Sequence, residues 1–320
     1  MSESLDIGVD VDSRTLVPAA YGRGSGDRFR NAAPGIRKWL ATLPPRCRIG
    51  MEATGNYFRL LASLAQQAGH TVFVINPRLI HQYAKATNSR GKTDAMDAEV
   101  IARYVKKEGD ELREYVPRTE AQEQLHQLLR KRQTLIRVRM QLEQSFEVKK
   151  RKGSELEELL NCFAAKLASL EEQIRKLVVE GEQAALYQRL QTIPGIGATV
   201  AAHLTYHLTR WPLANSNAWV ACSGLDPRPN ESGSRTGRRR LSKRGDPSLR
   251  QILYMAAMGL TRCKRGRPLY DELIKRGHPS TGAFNILARK LARIAWGVFK
   301  SGRDFDPQLL GLGEIKFAEA

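Results

Sequence analysis

The sequence predicts a mixed α/β first third followed by a helical remainder, and three observations carry that reading. Residues 5–11 alternate apolar and polar with period two, and two further short apolar runs recur at 47–52 and 71–76 with helical signals between them. Leu156, Leu160, Phe163, Leu167, Leu170, Ile174 and Leu177 follow a heptad seam. From about residue 186 onward, helical periodicity dominates a strongly basic stretch. The expected domains are 1–117, 118–183 (a coiled-coil helical region) and 184–320.

In the first strand Leu5, Ile7, Val9 and Val11 take one face, and Asp6, Gly8, Asp10 and Asp12 the other. TLVPAAY (15–21) is its expected hairpin partner, with Pro18 favouring an edge or irregular position. CRIGME (47–52) and TVFVIN (71–76) give two more strands, and the first three strands suit a meander. Tyr57–Ala68 reads as a helix with Leu60, Leu61 and Leu64 on one face and Gly69 as its stop. Pro77 can open a short helix, and Thr93 can cap one running through Ile101 to Tyr104. In the middle stretch, Glu120–Lys149 carries Leu128, Leu135 and Leu142 at sevens, and Lys152-Gly153-Ser154 is the expected turn before the heptad helix. That pair suits either an internal hairpin on the body of the protein or a dimerisation arm. The last stretch offers helices at 186–191, 198–209, 247–262 (capped by Asp246) and 283–300, around a polar, Gly-rich segment, 226–245.

Composition narrows the function. With 42% hydrophobic and 27% charged residues the chain can bury a core, so wholesale disorder is excluded. A net charge of +19 points to a polyanion, nucleic acid first. No run of about 18 apolar residues can span a bilayer, and MSESLDIGVDVD lacks the basic and apolar regions of a signal peptide. Four cysteines without a CxxC pair exclude a zinc ribbon and argue against a disulfide framework, so a cytoplasmic protein is expected.

Four carboxylates stand out. Asp10 lies on the polar face of the first strand, Glu52 ends another, and Asp94 and Asp97 share one helical face at i, i+3. Mixed sheets with carboxylates at strand ends host metal-dependent nucleases, and four acids brought together call for a divalent cation such as Mg²⁺ or Mn²⁺. Taken singly each has a plain explanation; Asp94 beside Thr93 complements a helix dipole, and Asp12, near the turn at Ser13-Arg14, is a turn residue. GKT (91–93) is no phosphate loop, since position 86 is Ala. TIPGIG (192–197) resembles a helix–hairpin–helix turn whose backbone at Gly195 and Gly197 can hold a phosphate, though Gly and Pro also make ordinary turns. Arg235, Arg238, Arg239, Arg240, Lys243, Arg244 and Arg250 face a single acid, Asp246, a net +6 that favours phosphate contact. Ser232, just before this run, can present a nucleophilic hydroxyl to a phosphate held by arginines; Ser234 or Ser242 suits that chemistry as well. His203 and His207 have no acid at ligand spacing and read as surface or core residues.

Together IGVD (7–10), MEATGNY (51–57), INP (75–77), KTDAMDA (92–98), TIPGIG (192–197), GLDPRPNESGS (224–234) and LSKRGDPSLRQILYMAAM (241–258) resemble the DEDD transposases of the insertion-sequence one-ten family, relatives of the Piv DNA invertases. The motifs run in order over nearly the whole chain. The resemblance implies a RuvC/RNase H-like first domain whose Asp10, Glu52, Asp94 and Asp97 hold the metal. It also implies a catalytic Ser232, a middle coiled coil joining protomers into a dimer of dimers, and a non-coding bridge RNA that pairs with target and donor DNA. The expected setting is the bacterial cytoplasm, on the nucleoid during action. The residues alone leave two rivals: a RuvC-like endonuclease with no covalent intermediate, and a non-enzymatic nucleic-acid-binding protein.

Overall fold

A computed structural model describes residues 5–53, 55–87, 93–145, 155–228, 231–232, 235–237 and 239–310, the side chains of 155, 231, 232, 235, 236 and 309 excepted. The expected turn at 152–154, Arg238, Ser234, and Gly91 and Lys92 of GKT lie outside the described residues. The chain divides into two compact units, 1–117 and 118–320.

In the first unit β1 (Asp6–Val11) pairs antiparallel with β2 (Thr15–Ala20), and two short strands, β3 (Gly24–Ser25) and β4 (Phe29–Arg30), extend the sheet beyond β2. Helix α1 (Ala33–Leu40) then leads to β5 (Arg48–Glu52), and α2 (Phe58–Gln67) to β6 (Thr71–Ile75). Both crossovers are parallel, and the sheet order is β3-β2-β1-β5-β6. The expected meander is therefore corrected: β5 lies parallel to β1, because α1 carries the chain back across the sheet. That helix is short and holds Pro34 and Gly35, which hide its period; Ile36 and Leu40, at i, i+4, are its buried stripe. On α2 the buried stripe is Leu61, Leu64 and Ala65, whereas Leu60 is exposed, one position off the expected face.

Ile7, Val9 and Val11 pack with Ile36, Leu40, Leu61 and Leu64 on one side of the sheet. The other side carries α3 (Pro77–Ala86) and α4 (Asp94–Glu108). Asn76 caps α3 by accepting from Arg78 N–H, and Thr93 caps α4 by accepting from Met96 N–H. The polar face of β1 thus meets a helix rather than water. Its Asp6 is buried, paired with Arg48 Nε at 2.5 Å and Lys106 Nζ at 3.6 Å.

In the second unit α5 (Glu120–Ser145) and α6 (Glu155–Val179) pack together, with Arg132 Nη2 2.7 Å from Glu171. Leu125, Leu129, Ile174 and Val178 join one core with α7 (Ala184–Gln191), α8 (Ala198–Arg210), α9 (Ser216–Ser223), α10 (Pro247–Leu260), α11 (Arg267–Lys275) and α12 (Ser280–Ser301). The heptad residues divide along α6: Leu167, Leu170 and Ile174 are buried, whereas Leu156, Leu160 and Phe163 are half-covered. Buried Trp219 ties α9 to α12, its indole N–H donating to Ala292 C=O at 2.8 Å.

Among the described residues of 226–245 there are two short antiparallel strand pairs. β7 (Pro227–Arg228) pairs with β10 (Arg240–Leu241), and β8 (Glu231–Ser232) with β9 (Arg235–Thr236). The neck of the segment is closed by Ser242 N–H to Asp226 C=O (2.8 Å), Lys243 N–H to Gly224 C=O (3.1 Å) and Asp246 N–H to Cys222 C=O (2.7 Å). No described helix is long and apolar enough to cross a membrane.

Candidate active site

Two strands of the first unit carry the same short pattern, glycine, one residue, then an acid: Gly8-Val9-Asp10 and Gly50-Met51-Glu52. Gly8 and Gly50 are register partners across β1 and β5, which puts Asp10 and Glu52 side by side one step beyond the last pair, Val9 and Met51. Two residues on from a glycine, each acid shares that glycine's face of the sheet. On that face α4 lies close. A Cβ on Gly8 would stand 2.1 Å from Ala98 O and 2.3 Å from Ala102 N, and one on Gly50 would stand 2.3 Å from Val105 Cγ2. The glycine furrow sets the height and direction of α4, which runs opposite to β1. Lys106 near its end meets Asp6 at the start of the strand, and the first turn, with Asp94 and Asp97, comes to Asp10.

Asp10 registers this meeting. Its carboxyl is pushed up to about 6, by burial first and then by the negative charges of Asp94, Asp97 and Glu52; the Val11 N–H opposes the rise weakly. The four predicted carboxylates are therefore brought to one end of β1. Their hard oxygen donors and mutual repulsion suit Mg²⁺ or Mn²⁺. Among the described residues, however, no three His, Cys, Asp or Glu side chains are gathered tightly enough to hold an ion as they stand. Arg28 Nη2 donates to Asp94 Oδ2. Arg28, between β3 and β4, was not legible in the sequence as a site residue, because only the folded sheet places its strands beside α4. Asp12 is an exposed turn residue, held low by the N–H groups of Ser13 and Arg14.

In the second unit the backbone of Ser232 pairs with that of Arg235. Arg239, Arg240, Lys243 and Arg244 are exposed along the returning strand and neck, whereas Arg250 reaches inward and donates to Ser223 C=O at 3.1 Å. Ser242 donates to Asp226 Oδ1 at 2.5 Å, so it staples the neck. Gly195 has φ +85°, and a Cβ there would meet Ala256 O at 2.6 Å and Leu260 N at 2.7 Å; the turn leans on α10. Gly197, exposed at the start of α8, leaves that helix's first N–H groups without a side-chain cap.

His203 is buried and held down to about 3, by burial first, then by repulsion from His207 and Arg132, against the pull of Asp246. Burial likewise lowers His207. His203 is a buried residue and His207 a half-buried one, and Asp246 caps α10 through Ser248 and Leu249 N–H.

Comparison with known proteins agrees with both halves of this description. A family model of DEDD type, described as a transposase, matches residues 7–148, and one described as the transposase IS116/IS110/IS902 family matches 187–271. The pilin gene-inverting protein of Moraxella bovis is 31% identical over 272 residues, covering 81% of this chain and 82% of its own. The transposase for insertion sequence element IS1328 of Yersinia enterocolitica is 30% identical over 308 residues, covering 84% and 88%. A probable family 20 transposase of Pseudomonas aeruginosa is 28% identical over 315 residues, covering 85% and 89%. On these matches the chain belongs to the IS116/IS110/IS902 family of transposases, enzymes that recombine DNA.

Proposed function

We propose that this transposase is an RNA-guided recombinase of an insertion sequence, working through a serine–phosphate link. In this reading residues 1–117 are a RuvC-like domain of RNase H type, 118–183 a coiled-coil region joining protomers, and 184–320 the domain that carries the nucleophile. The observation that carries it is the crowding of Asp10 by Asp94, Asp97 and Glu52, a charge arrangement that favours a divalent cation.

Asp10, Glu52, Asp94 and Asp97 would hold Mg²⁺ or Mn²⁺, which when bound neutralises phosphate charge in the transition state. Ser232 Oγ attacks phosphorus: an O–P bond forms to serine and the bond to the 3′ oxygen breaks, the proton lost by the serine hydroxyl being balanced, through solvent, by one taken up on the departing oxygen, which leaves as a free 3′-hydroxyl. That hydroxyl attacks the phosphoserine of another strand, so strands exchange without net hydrolysis. Arg235, Arg238, Arg239, Arg240, Lys243 and Arg244 clamp phosphate, with the Gly197 end of α8 as a further backbone contact. Sequence choice falls to pairing of a bridge RNA with target and donor DNA, since among the described residues no element resembles a reader of base edges.

The test is a denaturing gel of protein with DNA. Wild type leaves a covalent adduct and Ser232→Ala leaves none while still binding nucleic acid; an adduct retained in the variant removes Ser232 from the role. Mixing Ser232→Ala with Asp94→Asn protein, each inactive alone, restores cleavage if the carboxylates and the serine come from different protomers.

A further inference from the structure

Arg28 and Asp94 form an ion pair whose two backbones are fixed and whose two head groups are not. Arg28 sits between β3 and β4, and both strands are hydrogen-bonded to β2, through Ala19 with Ser25 and Leu16 with Phe29. Asp94 opens α4, whose position is set by the furrow at Gly8. The head groups stand 58% and 53% exposed at the edge of a cleft of about 390 Å³, lined further by Val17, Ser25, Gly26, Thr93 and Ala95. An ion pair this exposed is weak and easily exchanged. It also engages one oxygen of Asp94, Oδ2, on the side of Arg28.

A guanidinium spreads one charge over a plane, whereas a divalent cation concentrates two and gathers several carboxylates at once. For Asp94 the two compete. When Asp94 turns to the ion, the guanidinium is set free in a cleft that opens beside the carboxylates. A released arginine at that place has the fork geometry for a phosphate. We propose that Arg28 is a positioning residue which holds Asp94 until a divalent cation takes it, and whose released guanidinium then binds a phosphate of the DNA. This rests on the metal-binding reading of the four carboxylates given above.

The experiment uses the full chain, with Mn²⁺ as the metal and a short random-sequence DNA duplex as the phosphate probe. Free Mn²⁺ is followed by electron paramagnetic resonance, and duplex affinity is measured against salt with and without Mn²⁺. Removing an exposed competitor predicts that Arg28→Ala binds Mn²⁺ roughly two- to fivefold more tightly than wild type. Losing one phosphate contact predicts a salt slope smaller by about one in Mn²⁺, with no change in metal-free buffer. Arg28→Lys, which keeps the charge, restores the slope. Unchanged or weaker Mn²⁺ binding by Arg28→Ala overturns the competition, and an unchanged slope in Mn²⁺ overturns the phosphate role. Asp94→Asn separates the two layers: if it binds Mn²⁺ as wild type does, the metal reading itself fails. Circular dichroism of each variant confirms the fold, which an exposed side chain leaves undisturbed.

Discussion

Gly8 lies so close beneath Ala98 that a β-carbon on the glycine would stand 2.1 Å from the alanine's carbonyl oxygen. Everything at the carboxylate end of β1 depends on that approach, because α4 brings Asp94 and Asp97 to Asp10 only at this height. Gly8→Ala forces α4 off the sheet. The expected cost is about 1–3 kcal/mol in chemical denaturation, together with loss of the metal response described next. Stability within about 0.5 kcal/mol of wild type, a change ordinary for surface sites, would contradict the close packing.

Neutralising Asp10 has opposite effects on fold and activity. The ionised group is penalised first by burial and then by the charges of Asp94, Asp97 and Glu52, so Asp10→Asn removes a half-buried charge and its repulsion, and is expected to stabilise the metal-free protein by about 1 kcal/mol at pH 7, after discounting for solvent screening. The same variant loses strand cleavage and the rise in melting temperature on adding Mg²⁺. Glu52→Gln and Asp97→Asn are expected to lose cleavage likewise. Differential scanning calorimetry with and without Mg²⁺, beside a cleavage assay, checks both halves.

His203 makes the second unit acid-sensitive. Unfolded, it binds a proton near 6.5; folded, only near about 3. Its contribution to stability is complete above pH 6.5 and is lost as pH falls toward 3, by at most about 1.4 kcal/mol per pH unit. His203→Gln flattens the profile between pH 6 and 4, measured by urea denaturation at each pH. A profile as steep as wild type would assign the acid sensitivity to other groups.

The far half of the α5–α6 pair leaves apolar side chains in water. Val138, Met140 and Leu159 are 38%, 45% and 44% exposed. If the proposed pairing of protomers uses this stretch, replacing Met140 and Leu159 by Glu lowers the particle mass in light scattering while changing stability little, because neither side chain belongs to the buried core. An unchanged mass would place the subunit interface elsewhere.

Much of this was legible in the sequence, residue by residue. Period two gave β1, and proline and threonine marked the starts of α3 and α4, because caps and strand alternation act over a few neighbours. The sequence singled out Asp10, Glu52, Asp94 and Asp97 from strand ends and helical spacing, but not the shared Gly-x-acid pattern at 8–10 and 50–52, which only the register of β1 with β5 brings side by side. What was not legible came from long-range pairing. Helix α1 carries a proline and a glycine inside eight residues, so its missing period turned a crossover into an expected meander. The strand pairs within 226–245 are built of two-residue strands, too short for alternation to register. Arg28 became a site residue only because β3 and β4 fold back on β2.

Helix α4 has opposite charges matched at one end and like charges met at the other. Near its finish, Lys106 and Asp6 attract; at its start, Asp94 and Asp97 push against Asp10. It behaves as a lever pinned at the rear and sprung at the front. In the proposed metal-binding reading, a divalent cation at the front would offset that repulsion, so binding the ion and seating the first turn of α4 would be one energetic event.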